Sequence, residues 1–156
     1  TALHWAVHHG DVELVQRLIR AGARVNVANS YGATPMSEAA VLADPALLGA
    51  LLEAGADVES PNQEGQTALM AVARTGNVEA AELLLKNGAD VNAAEPRRGQ
   101  TALMWAAAEG YPDVVKTLLA HGANVNARSK IGFTPLFFIC LGSRYWRAIA
   151  IFSSSV

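Results

Sequence analysis

The amino-acid sequence predicts an all-α solenoid, built by stacking short two-helix units. Three observations point there. One phrase is written four times: Gly22-Ala23-Arg24-Val25-Asn26, Gly55-Ala56-Asp57-Val58-Glu59, Gly88-Ala89-Asp90-Val91-Asn92 and Gly122-Ala123-Asn124-Val125-Asn126. Its glycines step by 33, 33 and 34 residues, a period that marks a repeat architecture. Between them the apolar residues fall at helical rather than alternating spacing. An array of this kind has no single core to enclose a pocket, so what it offers is an extended surface.

Each unit opens on threonine: Thr1, Thr34, Thr67, Thr101 and Thr134. A threonine hydroxyl can accept from the unpaired amides of a first helical turn. Pro35 and Pro135 follow directly, where a helix tolerates proline because that amide lacks a partner. A short Ala-rich helix comes next, as in Ala71-Val72-Ala73 and Ala106-Ala107-Ala108, whose small side chains let neighbouring helices approach. Gly10, Gly76 and Gly110 end it. Asp11, Asp44 and Asn77 are the expected caps of a second helix, with Pro45 and Pro112 in its first turn. About a dozen residues then lead to the next threonine, with glycine two places ahead of it as a turn signal.

Second-helix apolar residues lie three to four apart and so share a face: Val12, Val15, Leu18 and Ile19; Val78, Ala81, Leu84 and Leu85; Val115, Leu118 and Leu119. A unit this short cannot bury that face alone. Stacking converts the leucines into two expected columns, Leu18, Leu51, Leu84 and Leu118 beside Ile19, Leu52, Leu85 and Leu119.

The bulk properties narrow the functional classes. The 156-residue chain is 51% hydrophobic and 17% charged, with 12 Lys and Arg against 14 Asp and Glu for a net charge of −2. That balance lacks the basic excess of a nucleic-acid binder. Cys140 is the one cysteine, so no internal disulfide and no cysteine-based metal site can form. The run after Leu136 is too interrupted by Gly142, Ser143, Arg144 and Arg147 for a membrane span of roughly 20 residues. No targeting segment is read, since Thr1 already sits inside a unit; the chain looks like a fragment of a soluble protein, cytoplasmic or exported.

With these residues in place, the chain resembles ankyrin-repeat proteins. The family motif Gly-x-Thr-Pro-Leu-His-x-Ala-Ala-x-x-Gly, a second helix with paired leucines and Gly-Ala-x-Val-Asn are matched through four units, and Gly132 to Leu136 open a fifth. The phrasing around Met104-Trp105-Ala106-Ala107-Ala108-Glu109-Gly110 is also similar to bacterial ankyrin arrays. The resemblance implies a single domain of antiparallel helix pairs with hairpin-like loops, in units 1–33, 34–66, 67–100 and 101–133 and a partial unit 134–156. It further implies a concave face, lined by first helices and loop tips, that binds other proteins.

Departures from the motif carry expectations of their own. Only the first unit keeps the motif histidine, His4, so the family's Thr–His network should be weak. Ala43 stands where a glycine closes the first helix, leaving Asp44-Pro45 to make the break. Glu59 replaces the asparagine of its phrase, and Ala94 to Arg98 carry an extra residue. In the last unit Tyr145, Ala148, Ile151 and Phe152 could face the preceding unit, while Phe137, Phe138 and Trp146 give an aromatic outer face. That end reads as a degenerate cap, the start of further chain, or a junction.

By the resemblance, partner-contacting residues on loops are Tyr31, Gln63, Glu64, Gln66, Arg97, Arg98, Gln100, Lys130, Ile131 and Phe133. On helices they are Trp5, His8, His9, Glu38, Leu42, Arg74, Thr75, Trp105 and Glu109. Trp, Tyr and Arg are frequent interface anchors; the plainer reading of Trp5 and Trp105 is packing between first helices. Arg97, Arg98, Arg128 and Lys130 make the third and fourth loop tips basic, which suits an acidic partner segment, against the plainer reading of a solvated surface of mixed sign. His4 and His8 share a helix face, yet no carboxylate or cysteine joins them at zinc-ligand spacing, so no metal and no cofactor is expected. Motifs for hydrolysis, phosphate or dinucleotide binding do not occur. Cys140, in Phe137-Phe138-Ile139-Cys140-Leu141, reads as a buried inert thiol. The expectation is a non-catalytic, monomeric protein-interaction module. The alternative is a regulatory or targeting segment of a larger enzyme or effector.

Overall fold

The computed structural model describes residues 1–140. Eight helices follow one another: α1 Ala2–His8, α2 Val12–Arg20, α3 Pro35–Leu42, α4 Pro45–Glu53, α5 Ala68–Ala73, α6 Val78–Lys86, α7 Ala102–Glu109 and α8 Pro112–Ala120. Residues 135–140 are again helical. The remaining regular pairing among the described residues is one antiparallel bridge, Ala94 with Thr101. The architecture is the all-α repeat solenoid that the period predicts. Tyr145 to Phe152 and Trp146, on which the expectation for the last unit rests, lie outside the described residues.

Packing follows the repeat. Within a unit α1 meets α2, α3 meets α4, α5 meets α6 and α7 meets α8. Between units the first helices form one row, α1–α3–α5–α7, and the second helices another, α2–α4–α6–α8. Ala39, Ala40, Ala73 and Ala106 are fully buried in the first row, where small side chains permit close approach. In the second row Leu51, Leu84 and Leu118 are fully buried and Leu18 is partly so. The neighbouring column differs from expectation. Ile19, Leu52 and Leu85 are only partly buried and Leu119 is exposed. One residue further along a helix turns a side chain by about 100°, which carries this column toward the outer edge of the contact.

The caps form largely as read. Thr1 and Thr101 accept from the amides of His4 and Met104, and Asp11, Asp44 and Asn77 from those of Leu14, Ala46 and Ala80. Thr67 makes no such bond, and its buried Oγ1 has no partner. Ala43 corrects an expectation: it adopts the left-handed conformation itself, φ 51° and ψ 33°, closing α3 through its N–H to Ala39. Asn77 Nδ2 holds it there by donating to the Ala43 carbonyl at 2.9 Å. Left-handed geometry costs an L-residue about 1–2 kcal/mol, so a bond from the next unit is what fixes it.

The histidine network is retained in the first unit, where His4 Nδ1 lies 2.7 Å from Thr1 Oγ1 and Nε2 2.9 Å from the Ala33 carbonyl. In the second unit Ser37 substitutes, its Oγ accepting from Thr34 N at 2.9 Å to complete a capping box. Two further residues differ from their sequence reading. Phe138, expected on an aromatic outer face, is buried against Met104, Ala107 and Ala108. Cys140, expected to be buried, is exposed, because two helical positions beyond Phe138 it points to nearly the opposite side.

A second set of contacts ties the units together. Asn26 donates from Nδ2 to Gly55 O at 3.0 Å and accepts from Asp57 N at 2.8 Å. Asn92 repeats both bonds to the next unit, with Gly122 O at 3.2 Å and Asn124 N at 2.8 Å. Glu59 occupies the equivalent place and makes only the accepting bond, to Asp90 N at 2.9 Å. A carboxylate has no N–H to offer the Gly88 carbonyl. Glu59→Asn is therefore expected to restore the missing bond and raise stability by about 0.5–1.5 kcal/mol, read from the urea midpoint at unchanged slope.

A candidate partner-binding cleft

Four hairpins precede the threonines, and one residue organises each. Asn29 Oδ1 accepts from Tyr31 N and Ala33 N, and Asn62 Oδ1 from Glu64 N and Gln66 N. Ser129 Oγ accepts from Phe133 N. In the third hairpin, lengthened by one residue, Glu95 takes this place. Its carboxylate accepts from Arg97 N at 2.6 Å, Arg98 N at 2.7 Å and Gln100 N at 3.1 Å, and the residue is only 4% exposed. The longer side chain spans the added residue and orders the loop that carries both arginines. Sequence reasoning noted the extra residue without seeing this role. The signal was available, since Glu95 falls in the register of Asn29 and Asn62.

Adjacent hairpins abut. Gly65 sits at φ +78°, and a side-chain carbon there would meet the Pro96 ring at 2.5 Å. Lys130 N donates to Arg98 O at 2.8 Å, and Lys130 Nζ donates to Pro96 O. The third hairpin is thus held from both sides.

Between the second and third hairpins and the helices beneath them lies an open cleft of about 310 Å³. Glu64, Gln66, Arg97, Arg98 and Gln100 line it from the loops, Arg74 and Trp105 from the first-helix row, and Glu95 from below. Apart from Glu95, all of these are residues that the resemblance singles out. The Arg74 guanidinium lies 4.8 Å from the centre of the Trp105 ring, and its Nε is 3.8 Å from Glu109 Oε1.

The other expected contact residues are spread along the same face. Trp5 stacks on His9 with ring centres 4.0 Å apart, His9 Nδ1 lies 2.8 Å from the Trp5 carbonyl, and His8 meets His9 edge-on. Tyr31, Leu42, Gln63, Thr75 and Ile131 are exposed. Glu38 is partly buried and accepts from Asn29 Nδ2, and Phe133 stacks on Phe137. Val41, which sequence reasoning passed over, is exposed one turn-register from His8 and Arg74. Counted from each threonine, His8, Val41 and Arg74 are equivalent, as are His9, Leu42, Thr75 and Glu109. At these positions the first two units present imidazole and aliphatic groups, and the next two Arg74, Thr75 and Glu109.

Three residues differ from their expected exposure. Gln66, Gln100 and Trp105 are buried. Directly before their threonines, Gln66 and Gln100 turn under their hairpins, whereas the equivalent Ala33 and Phe133 are only partly buried. Trp105 packs within the first-helix row beneath Arg74, which is the plainer reading of that residue.

The stacked helix pairs, the clasped phrases and the hairpin-walled face define a class: a helical repeat solenoid with an open lateral surface. A family model described as ankyrin repeats, in three copies, matches residues 1–62 and 39–129. The chain belongs to the ankyrin-repeat family. A search of curated proteins found no match. Among the described residues, no helix is long and apolar enough to cross a membrane.

The burial difference between the two tryptophans sets an expectation. Trp105, at 6% exposure, should cost about 3–5 kcal/mol on truncation to alanine. Trp5→Ala, at 58% exposure, should stay within about 0.5 kcal/mol in the same denaturant titration.

Proposed function

We propose that the chain is a non-catalytic protein-binding module that holds another protein against its first-helix face and hairpin tips. Ankyrin repeats are generally protein–protein interaction modules, and the family assignment supports that much directly. The finer reading, that this face is the one used, is carried by one observation. Residues from two hairpins and two first helices, far apart in sequence, converge on a single open cleft lined by three arginines, two glutamates, two glutamines and the edge of a tryptophan. Arginine is among the side chains that most often anchor interfaces. The outer second-helix face, by contrast, carries solvated local pairs such as Lys86–Glu82 and Lys116–Asp113, at 3.1 and 3.0 Å, which contribute little.

The reading is tested by capture from lysate with three immobilised chains: the unaltered one, Tyr31→Ser combined with Arg97→Glu and Arg98→Glu, and Lys86→Glu on the outer face. A protein retained by the first and third and lost from the second is expected. Equal retention by all three, or loss only with the Lys86 variant, places recognition elsewhere.

A further inference from the structure

We infer that the cleft between the second and third hairpins receives an acidic side chain, an Asp or Glu within an extended segment of the partner. This rests on the protein-binding reading above and names what the site accepts.

Arg97 and Arg98 engage the protein through their backbone N–H groups, both given to Glu95. Their guanidinium groups make no hydrogen bond or ion pair with any described residue. Both line the cleft, and Arg98 is partly buried there. Arg74 adds a third guanidinium to the lining, over the Trp105 ring and loosely paired with Glu109. The carboxylates already present do not occupy these cations. Glu95 is committed to three backbone N–H groups, and Glu64, on the second hairpin, forms no ion pair. Planar guanidinium forks bind carboxylates in a paired geometry that amides and hydroxyls cannot match.

The position differs from the sequence expectation, which placed an acidic partner segment at the third and fourth loops. Lys130 is not available there: its ammonium donates to Pro96 O and buttresses the third hairpin. Arg128 is turned back toward Gly132 O at 3.5 Å. The unpaired charge therefore faces the second hairpin.

The site is an open cleft and not an enclosed pocket, which suits an acidic side chain carried on an extended segment.

The test uses a random peptide library displayed with both ends joined to carrier sequence, panned against the unaltered chain. Enriched peptides are expected to share Asp or Glu at one fixed position and to lose affinity as salt rises. Arg97→Gln with Arg98→Gln should weaken them roughly ten- to a hundredfold. Lys86→Gln, on the outer face, should change nothing. A synthetic copy with an interior Glu and amidated end should bind as well as one with a free terminal carboxylate; dependence on the free terminus overturns the side-chain assignment. Enriched peptides that lack an acidic position yet crosslink to the first-helix face sink this inference and leave the binding-module reading standing. No enrichment, or crosslinks only to α4, α6 and α8, sinks both.

Discussion

A pair of helices six to nine residues long has too little interior to hide its own apolar face, and every other feature of this chain follows from that shortage. Leu51 is buried because α6 lies beside α4, and Leu84 because α8 lies beside α6. The first-helix row does the same with alanines, which bring the helices close, and with Leu3, Met36, Leu69, Met70 and Met104, all of them buried. Burial is thus a property of neighbours rather than of units, and stability in such arrays is a sum of unit and interface contributions. The face that is left over runs the length of the stack. That is why the surface such a stack offers is distributed across several units and is not an enclosed pocket.

Apolar columns set which faces meet, while polar contacts set how far each unit may slide on the next. The asparagine clasps at Asn26 and Asn92 each tie a side chain to two backbone groups of the following unit. Where the sequence departs from its own pattern, the structure compensates locally. Ala43 accepts left-handed geometry with help from Asn77, Ser37 replaces a histidine by closing a capping box, and Glu95 bridges an inserted residue. The last compensation has a consequence for chemistry. Ordering the longer hairpin uses the Glu95 carboxylate and the backbone of Arg97 and Arg98, and leaves the two guanidinium groups unpaired on the cleft wall.

How much of this was legible depended on periodicity. The helix pairs, most of the caps and the Leu51–Leu84–Leu118 column repeat every 33 or 34 residues, so four copies reinforced each reading. Side chains whose role depends on a single unit were harder. Gln66 and Gln100 read as loop-tip residues, yet both turn inward. Glu95 read only as part of a loop with an extra residue, yet it is the loop's buried organiser. Lys130 read as a free basic tip, yet it props the neighbouring hairpin. In each case the deciding contact comes from another loop or from the path of the backbone, which composition and spacing do not encode.

The account stands or falls on nearest-neighbour coupling, and double-mutant cycles measure it. Leu51→Ala with Leu84→Ala joins adjacent units, and Leu18→Ala with Leu118→Ala joins units separated by two others. The adjacent pair should show an interaction energy of about 1 kcal/mol, and the separated pair should be additive within about 0.5 kcal/mol. Coupling as large for the separated pair as for the adjacent one would mean that the chain shares one common core, and would contradict the account.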